Sequence, residues 1–184
     1  MITFGKYKEL IKAKLLGDSE FLGAIKELVP TDMPRHEAQR HLVKLWDSSL
    51  QPDIELTHNC SCGKVHRFRP NFNHLMISEI KPLEYKLDGF KLILKWPNFF
   101  TEPSIPGILT CIDYIVVGND KVKLDELTAS EEDTLCESLT EDHISNVKSI
   151  LYSPELILAT PVKCECGTQS VNVLKGFKDI FSLM

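Results

Sequence analysis

Along this chain the spacing of apolar residues switches between helical and strand-like periods. Tyr7, Leu10, Ile11 and Leu15 recur at the three-to-four-residue spacing of a helix, and Gly17-Asp18 can stop that helix and cap the next. Phe21, Leu22, Ile25 and Leu28 form a second helical stripe that ends at Pro30. Pro34 suits the first turn of a third helix, whose apolar face carries Leu42, Leu45 and Trp46. His36 and His41 fall on that segment and read as surface or boundary residues, because no partner ligand sits at helical spacing from either.

After Pro52 the period drops to two. "DIELTH" and "VHRFR" flank Cys60-Ser61-Cys62-Gly63 and predict a hairpin with the cysteines at its tip. "YKLDGFKLIL" predicts a second hairpin around Asp88-Gly89, with a tight primed turn. The cluster Trp96, Phe99 and Phe100 reads as core filling before contact surface. From Pro106 to about Tyr152 the chain reads as mostly helical. Thr128 and Glu131 form a capping box there, and Ile144, Val147, Ile150 and Leu151 line one face of a helix ended by Pro154. The last stretch, "LILATPVKCECGTQSVNVL", is strand-turn-strand, and Phe177, Ile180, Phe181 and Met184 then space a short amphipathic helix. The pattern predicts an α+β fold with helical N-terminal and central segments and small antiparallel hairpins. With no Pro/Gly/Ser-rich linker, it is read as one discontinuous domain over 1–184. Its segments are helical 1–50, first knuckle and hairpins 51–100, helical 106–155, and second knuckle with terminal helix 156–184.

Four of the six cysteines lie in the two Cys-x-Cys-Gly turns, Cys60/Cys62 and Cys164/Cys166. Two thiolates on one tight turn can converge on a point, and the Gly that follows supplies the backbone angle the turn needs. One pair offers two ligands where a structural zinc ion takes four, so a second knuckle completes the set in the manner of a zinc ribbon. Three readings stay open: one Zn²⁺ shared by Cys60, Cys62, Cys164 and Cys166; metal-free turns; or a local Cys/His site using His58 or His66. Cys111 and Cys136 stand alone in apolar, helix-like surroundings and read as small buried hydrophobes.

Composition removes several function classes. The formal net charge is −5, with 26 acidic and 21 basic side chains, so no global field gathers phosphate backbones. No apolar run approaches membrane-spanning length, and "MITFGKYKELIKAK" lacks the apolar core of a signal peptide, which makes a reducing cytoplasm the expected setting. There is no Gly-rich phosphate loop, nucleophile elbow or His-Glu-x-x-His helix, and a four-cysteine site leaves no open position for water, so no enzyme is expected. A zinc-ribbon nucleic-acid-binding module is the alternative. It would use Lys64, His66, Arg67, Phe68 and Arg69.

The order of elements in the second half carries a resemblance. An acidic helix pair, a Pro-x-Leu step, a strand, a cysteine knuckle and a terminal "L-x-G-F-x-x-I-F" place Pro154, Leu156, Cys164, Cys166, Gly167, Leu174, Gly176, Phe177, Ile180 and Phe181. This resembles the baseplate hub assembly proteins of T-even-type contractile-tailed bacteriophages, over most of the chain beyond residue 30. The one-residue cysteine spacing departs from the usual two-residue ribbon knuckle. The resemblance implies a late structural or assembly protein of the tail baseplate hub, acting in the host cytoplasm during assembly or in the virion tail. Its partners would be other hub proteins, with no nucleic acid, membrane or small-molecule substrate. The apolar stripe Leu174, Phe177, Phe181 and Met184 is then a docking element for a partner, or else packs on the protein's own helices.

Overall fold

The computed structural model describes residues 2–183, with Asp18 described by its backbone alone. The helices α1 (Phe4–Leu16), α2 (Asp18–Ile25) and α3 (Arg35–Leu50) come first. Strands β1 (Leu56–Asn59), β2 (Val65–Phe68), β3 (Leu75–Ile77), β4 (Glu84–Leu87) and β5 (Phe90–Leu94) follow. Then come α4 (Ile105–Leu109), β6 (Ile112–Val117), β7 (Asp120–Val122), α5 (Ala129–Ser138) and α6 (Glu141–Leu151). The chain closes with β8 (Leu156–Lys163), β9 (Gln169–Lys175) and α7 (Phe177–Phe181). The result is mixed α+β, and every strand pairing is antiparallel.

Two compact units divide the chain: residues 1–78 with 155–184, and residues 79–154. The second is therefore an insertion in the sequence of the first. At its neck, Ser78 N–H donates to the Glu155 carbonyl at 2.8 Å, and Glu155 N–H donates to Ser78 Oγ at 2.9 Å.

In the first unit β1 and β2 form a two-stranded hairpin, and β3, β8 and β9 form a sheet in that order. Leu75 faces Leu158, which faces Leu174, so one row of the sheet presents leucine to one side. That side meets Val43 and Trp46 of α3, Phe72 and Ile180. Trp46 and Phe72 meet edge to face with ring centroids 5.4 Å apart, an arrangement that adds about 1 kcal/mol to simple burial. Leu42 and Trp46 are buried as the helical spacing requires.

His36 departs from expectation. It lies on the inner face of α3 and is only 5% exposed, because the helix turns positions 36, 38, 42, 43 and 46 to the same side. Burial pushes its pKa below the ordinary 6.5; the neighbouring Glu37 opposes this and Arg40 adds to it. A histidine whose folded pKa lies below its unfolded value binds fewer protons when folded, so its cost is absent at neutral pH and grows as pH falls below the unfolded value. We expect the urea midpoint to fall as pH drops from about 7 toward 5, and His36→Gln to flatten part of that slope. An unchanged slope in the variant would remove His36 from the account.

The second unit is a four-stranded sheet ordered β4-β5-β6-β7, with Leu92, Ile115, Leu135, Val147 and Leu151 in its core. The β4–β5 hairpin forms around Asp88-Gly89, as expected. Only Gly89 takes a positive φ, 88°, so the turn is not the doubly left-handed type; a non-glycine residue such as Asp88 pays about 1 kcal/mol to enter that region. Residues 112–122 were expected to be helical and are a hairpin instead. Ile112 and Ile115 are buried on β6, a two-residue turn at Gly118-Asn119 follows, and Ile115 pairs with Val122. The Thr128 capping box is present: Thr128 N–H donates to Glu131 Oε2 at 2.8 Å and its hydroxyl does so at 2.7 Å. Cys111 is buried in this core, and burial raises its pKa. Cys136 differs from expectation in being exposed, because α5 turns Leu135 inward and the next position out. Phe99 is buried and stacks edge to face on Phe100 at 5.6 Å.

Candidate metal centre

Each cysteine pair sits where its flanking strands leave the ladder. The register of β1 and β2 ends at Asn59 opposite Val65, and that of β8 and β9 ends at Lys163 opposite Gln169. The two turns beyond are built alike. In the first, Cys60 N–H donates to the Lys64 carbonyl at 2.9 Å and Gly63 N–H donates back to the Cys60 carbonyl at 2.9 Å. In the second, Cys164 N–H donates to the Thr168 carbonyl at 2.9 Å and Gly167 N–H to the Cys164 carbonyl at 3.0 Å. Gly63 and Gly167 take φ of 86° and 90°, which explains why glycine follows the second cysteine each time. Sulfurs at i and i+2 then leave the same side of the turn.

The turns face each other. Cys60 Sγ lies 3.8 Å from Cys166 Sγ, Cys62 Sγ lies 3.6 Å from Cys164 Sγ, and all four sulfurs lie within 4.8 Å of one another. Four thiolates about 2.3 Å from one tetrahedral ion are separated by about 3.8 Å, so the donor set and its spacing both fit a metal. In each turn the first cysteine is buried and the second exposed. Hydrogen bonds from the Thr168 hydroxyl and backbone, followed by the Cys164 thiol, lower Cys166 to about 6. The Cys166 backbone N–H favours a thiolate at Cys164, but hydrogen bonding to Cys166, burial, and contact with Cys60 and Cys62 outweigh it and push that thiol up to about 12. Cys60 is lowered by the Cys62 backbone and side chain. A divalent ion would favour four thiolates, because only deprotonated sulfur ligates it.

Two contacts outside the sulfurs join the same hairpins. Lys64 Nζ pairs with Glu165 at 2.7 Å across the knuckles, and the pairing with Glu165, with the nearby sulfurs, raises the lysine pKa. Both side chains are well exposed, so this pair orients more than it stabilises. His58 Nε2 meets Ser170 Oγ at 2.8 Å. That bond turns the imidazole toward β9, and neither His58 nor His66 joins the sulfur cluster. His66 Nε2 is buried without a hydrogen-bond partner among the described residues. The local Cys/His alternative therefore lacks its histidine, while the expected four cysteines are together.

A family profile described as T4 bacteriophage base plate protein matches residues 1–182. The chain belongs to this family. The baseplate hub assembly protein gp26 of Enterobacteria phage T4 is 31% identical over 190 aligned residues, covering 99% of this chain and 90% of that protein. No solved structure matches the chain. The profile runs through both knuckles and the inserted unit, so the baseplate family reading covers the cysteine cluster and is not confined to the tail of the sequence.

The other expected site lies at the end of the chain. Phe181 and Ile180 are buried, Phe181 meets Phe21 edge to face at 5.2 Å, and its ring lies 4.8 Å from that of Phe177. Leu174 and Phe177 pack against the core of the first unit. Leu174, Phe177 and Phe181 thus make contacts within the first unit, Leu174 and Phe177 remaining half-buried. Met184 lies outside the described residues. The basic strand proposed for nucleic acid is matched by carboxylates: Lys64 by Glu165, Arg67 by Glu55 and Arg69 by Asp53. No helix is long and apolar enough to cross a membrane, among the described residues.

Proposed function

We infer that this chain is a structural assembly protein of the phage tail baseplate hub, working through contacts with other hub proteins in the host cytoplasm and, in the finished particle, at the tail baseplate. The observation that carries this is the likeness to a baseplate hub assembly protein over nearly the whole length of both chains. The residues agree with it. The net charge is negative, the basic strand is paired with acids, and the cluster of potential metal ligands found among the described residues is of the four-cysteine kind that builds structure and leaves no position for a reacting water.

Cys60, Cys62, Cys164 and Cys166 are assigned to one structural Zn²⁺, held as in a zinc ribbon with shortened knuckles. When bound, the ion supplies a cross-link. The chain's own part is to deliver four sulfurs preset at tetrahedral spacing and to orient them through the Gly63 and Gly167 turns. Co-expression with the other hub proteins of the same phage, followed by affinity capture and mass spectrometry, tests the assembly role. A stoichiometric complex with at least one hub protein is expected. Binding to a DNA fragment with a steep salt dependence, and no hub partner captured, would overturn it in favour of the nucleic-acid reading.

A further inference from the structure

The sheet β3-β8-β9 has two apolar faces. One covers the core; the other carries Met76, Ile157, Ala159, Pro161, Val171 and Val173, which the register places side by side. On this outer face Met76 is 52% exposed, Val171 57% and Val173 44%. A sheet with one solvated face ordinarily alternates apolar-in with polar-out, and here the outward positions remain apolar until Lys163, Gln169 and Lys175 at the rim.

The sheet's edges are treated differently. On the far side from β9, β3 is only three residues long, and beyond it β8 carries Pro161. The ladder shows which way that proline points. Gly176 N–H donates to the Leu156 carbonyl and Cys164 N–H to the Thr168 carbonyl. Alternation between these two bonds makes Leu158/Leu174, Thr160/Asn172 and Val162/Ser170 the hydrogen-bonded pairs, and Ala159/Val173 and Pro161/Val171 the non-bonded ones. Pro161 thus removes a donor on the side away from β9, a common way to blunt an open edge. The β9 edge has no such device. It is seven residues long, without proline, bulge or inward charge, and Gln169, Val171, Val173 and Lys175 turn their backbone N–H and C=O groups away from β8.

We propose that this edge pairs with β9 of a second copy of the chain, antiparallel about a two-fold axis at Asn172, making one continuous six-stranded sheet. The register is self-complementary. Val171 pairs with Val173 of the second copy and Gln169 with its Lys175, each pair exchanging two backbone hydrogen bonds, so every outward group of β9 is used. On the outer face the valines of both copies form one apolar patch. Charge selects the same arrangement: each Lys175 faces a neutral Gln169, whereas parallel in-register pairing would set Lys175 against Lys175. A strand edge alone buries less than the roughly 1,200 Å² of a standard interface, so the association is reversible and concentration-dependent.

Sedimentation velocity on the full metal-loaded chain, over about a hundredfold dilution range, reads this directly. A monomer–dimer equilibrium is expected. Val173→Pro deletes an outward N–H without touching the β8–β9 ladder, so it should shift dissociation by at least about tenfold in concentration, with circular dichroism and melting close to the parent. Should the proline variant misfold, the pair Val171→Lys and Val173→Lys decides, since edge lysines repel a second copy without altering the backbone. A parent that stays monomeric throughout, or variants that dimerise as it does, would overturn the proposal. So would a monomeric chain whose β9 edge instead captures a strand of another baseplate protein.

Discussion

Stripping the metal from the purified chain with a strong chelator is expected to lower its melting temperature by about 10 °C or more, the scale of a few kcal/mol in a protein this size. The reason is where the ligands lie. Cys60 and Cys62 stand on the hairpin after α3, Cys164 and Cys166 on the last one, so an ion held there would close a loop of about a hundred residues, and closure of a long loop is where a cross-link restricts the unfolded chain most. Elemental analysis should return close to one zinc per chain. Cys62→Ser and Cys166→Ser should each remove it, and the double change should add little, because either loss already breaks the tetrahedron. A metal-free preparation that melts unchanged in chelator would leave the two turns as turns.

Asp at Phe181 is expected to unfold the first unit outright. Truncating a buried Phe costs about 3–5 kcal/mol, and a carboxylate placed beside Phe21 and Phe177 adds the cost of an unpaired buried charge. Against a total stability of about 5–15 kcal/mol that is most or all of what is available. Phe177→Asp should be milder, because its side chain is only half-buried at the margin of the same core. Circular dichroism and limited proteolysis measure both. If Phe181→Asp melts like the parent yet fails to bind hub partners, the stripe is a docking element after all.

How much of this was legible depends on whether the information was local. Both cysteine knuckles could be read because Cys-x-Cys-Gly between alternating runs carries its turn chemistry within four residues, whereas ligand count left their convergence as one of three readings. The Thr128 capping box was legible for the same reason. The hairpin of β6 and β7 was not. "IDYIVV" buries positions 112 and 115, a spacing of three that a helix also uses, and a register shift between Ile93 and Leu94 on the neighbouring strand breaks the simple alternation. The inserted unit left no mark, since no flexible linker announces it and its neck is tied by ordinary hydrogen bonds between Ser78 and Glu155. β3 is three residues of strand stabilised by a partner some eighty positions away. His36 and Cys136 failed alike: a helix sets which face is buried, and a rotation by one position exchanges inside for outside.

The insertion also imposes an order on biosynthesis. The strand that fills the centre of the first sheet, β8, leaves the ribosome only after all of residues 79–154. At about 5–20 residues per second, the first knuckle waits roughly five to twenty seconds for the second to appear. By the end of that interval the inserted unit has every residue it needs, while Leu75 and Trp46 still lack the leucines of β8. Nascent chains arrested just after residue 154 has cleared the ribosome should therefore protect the insertion from protease and leave the preceding segment open. The half-built unit, with two free thiols at a hairpin tip, is the form of this protein that a translating host cell must keep from oxidation and aggregation.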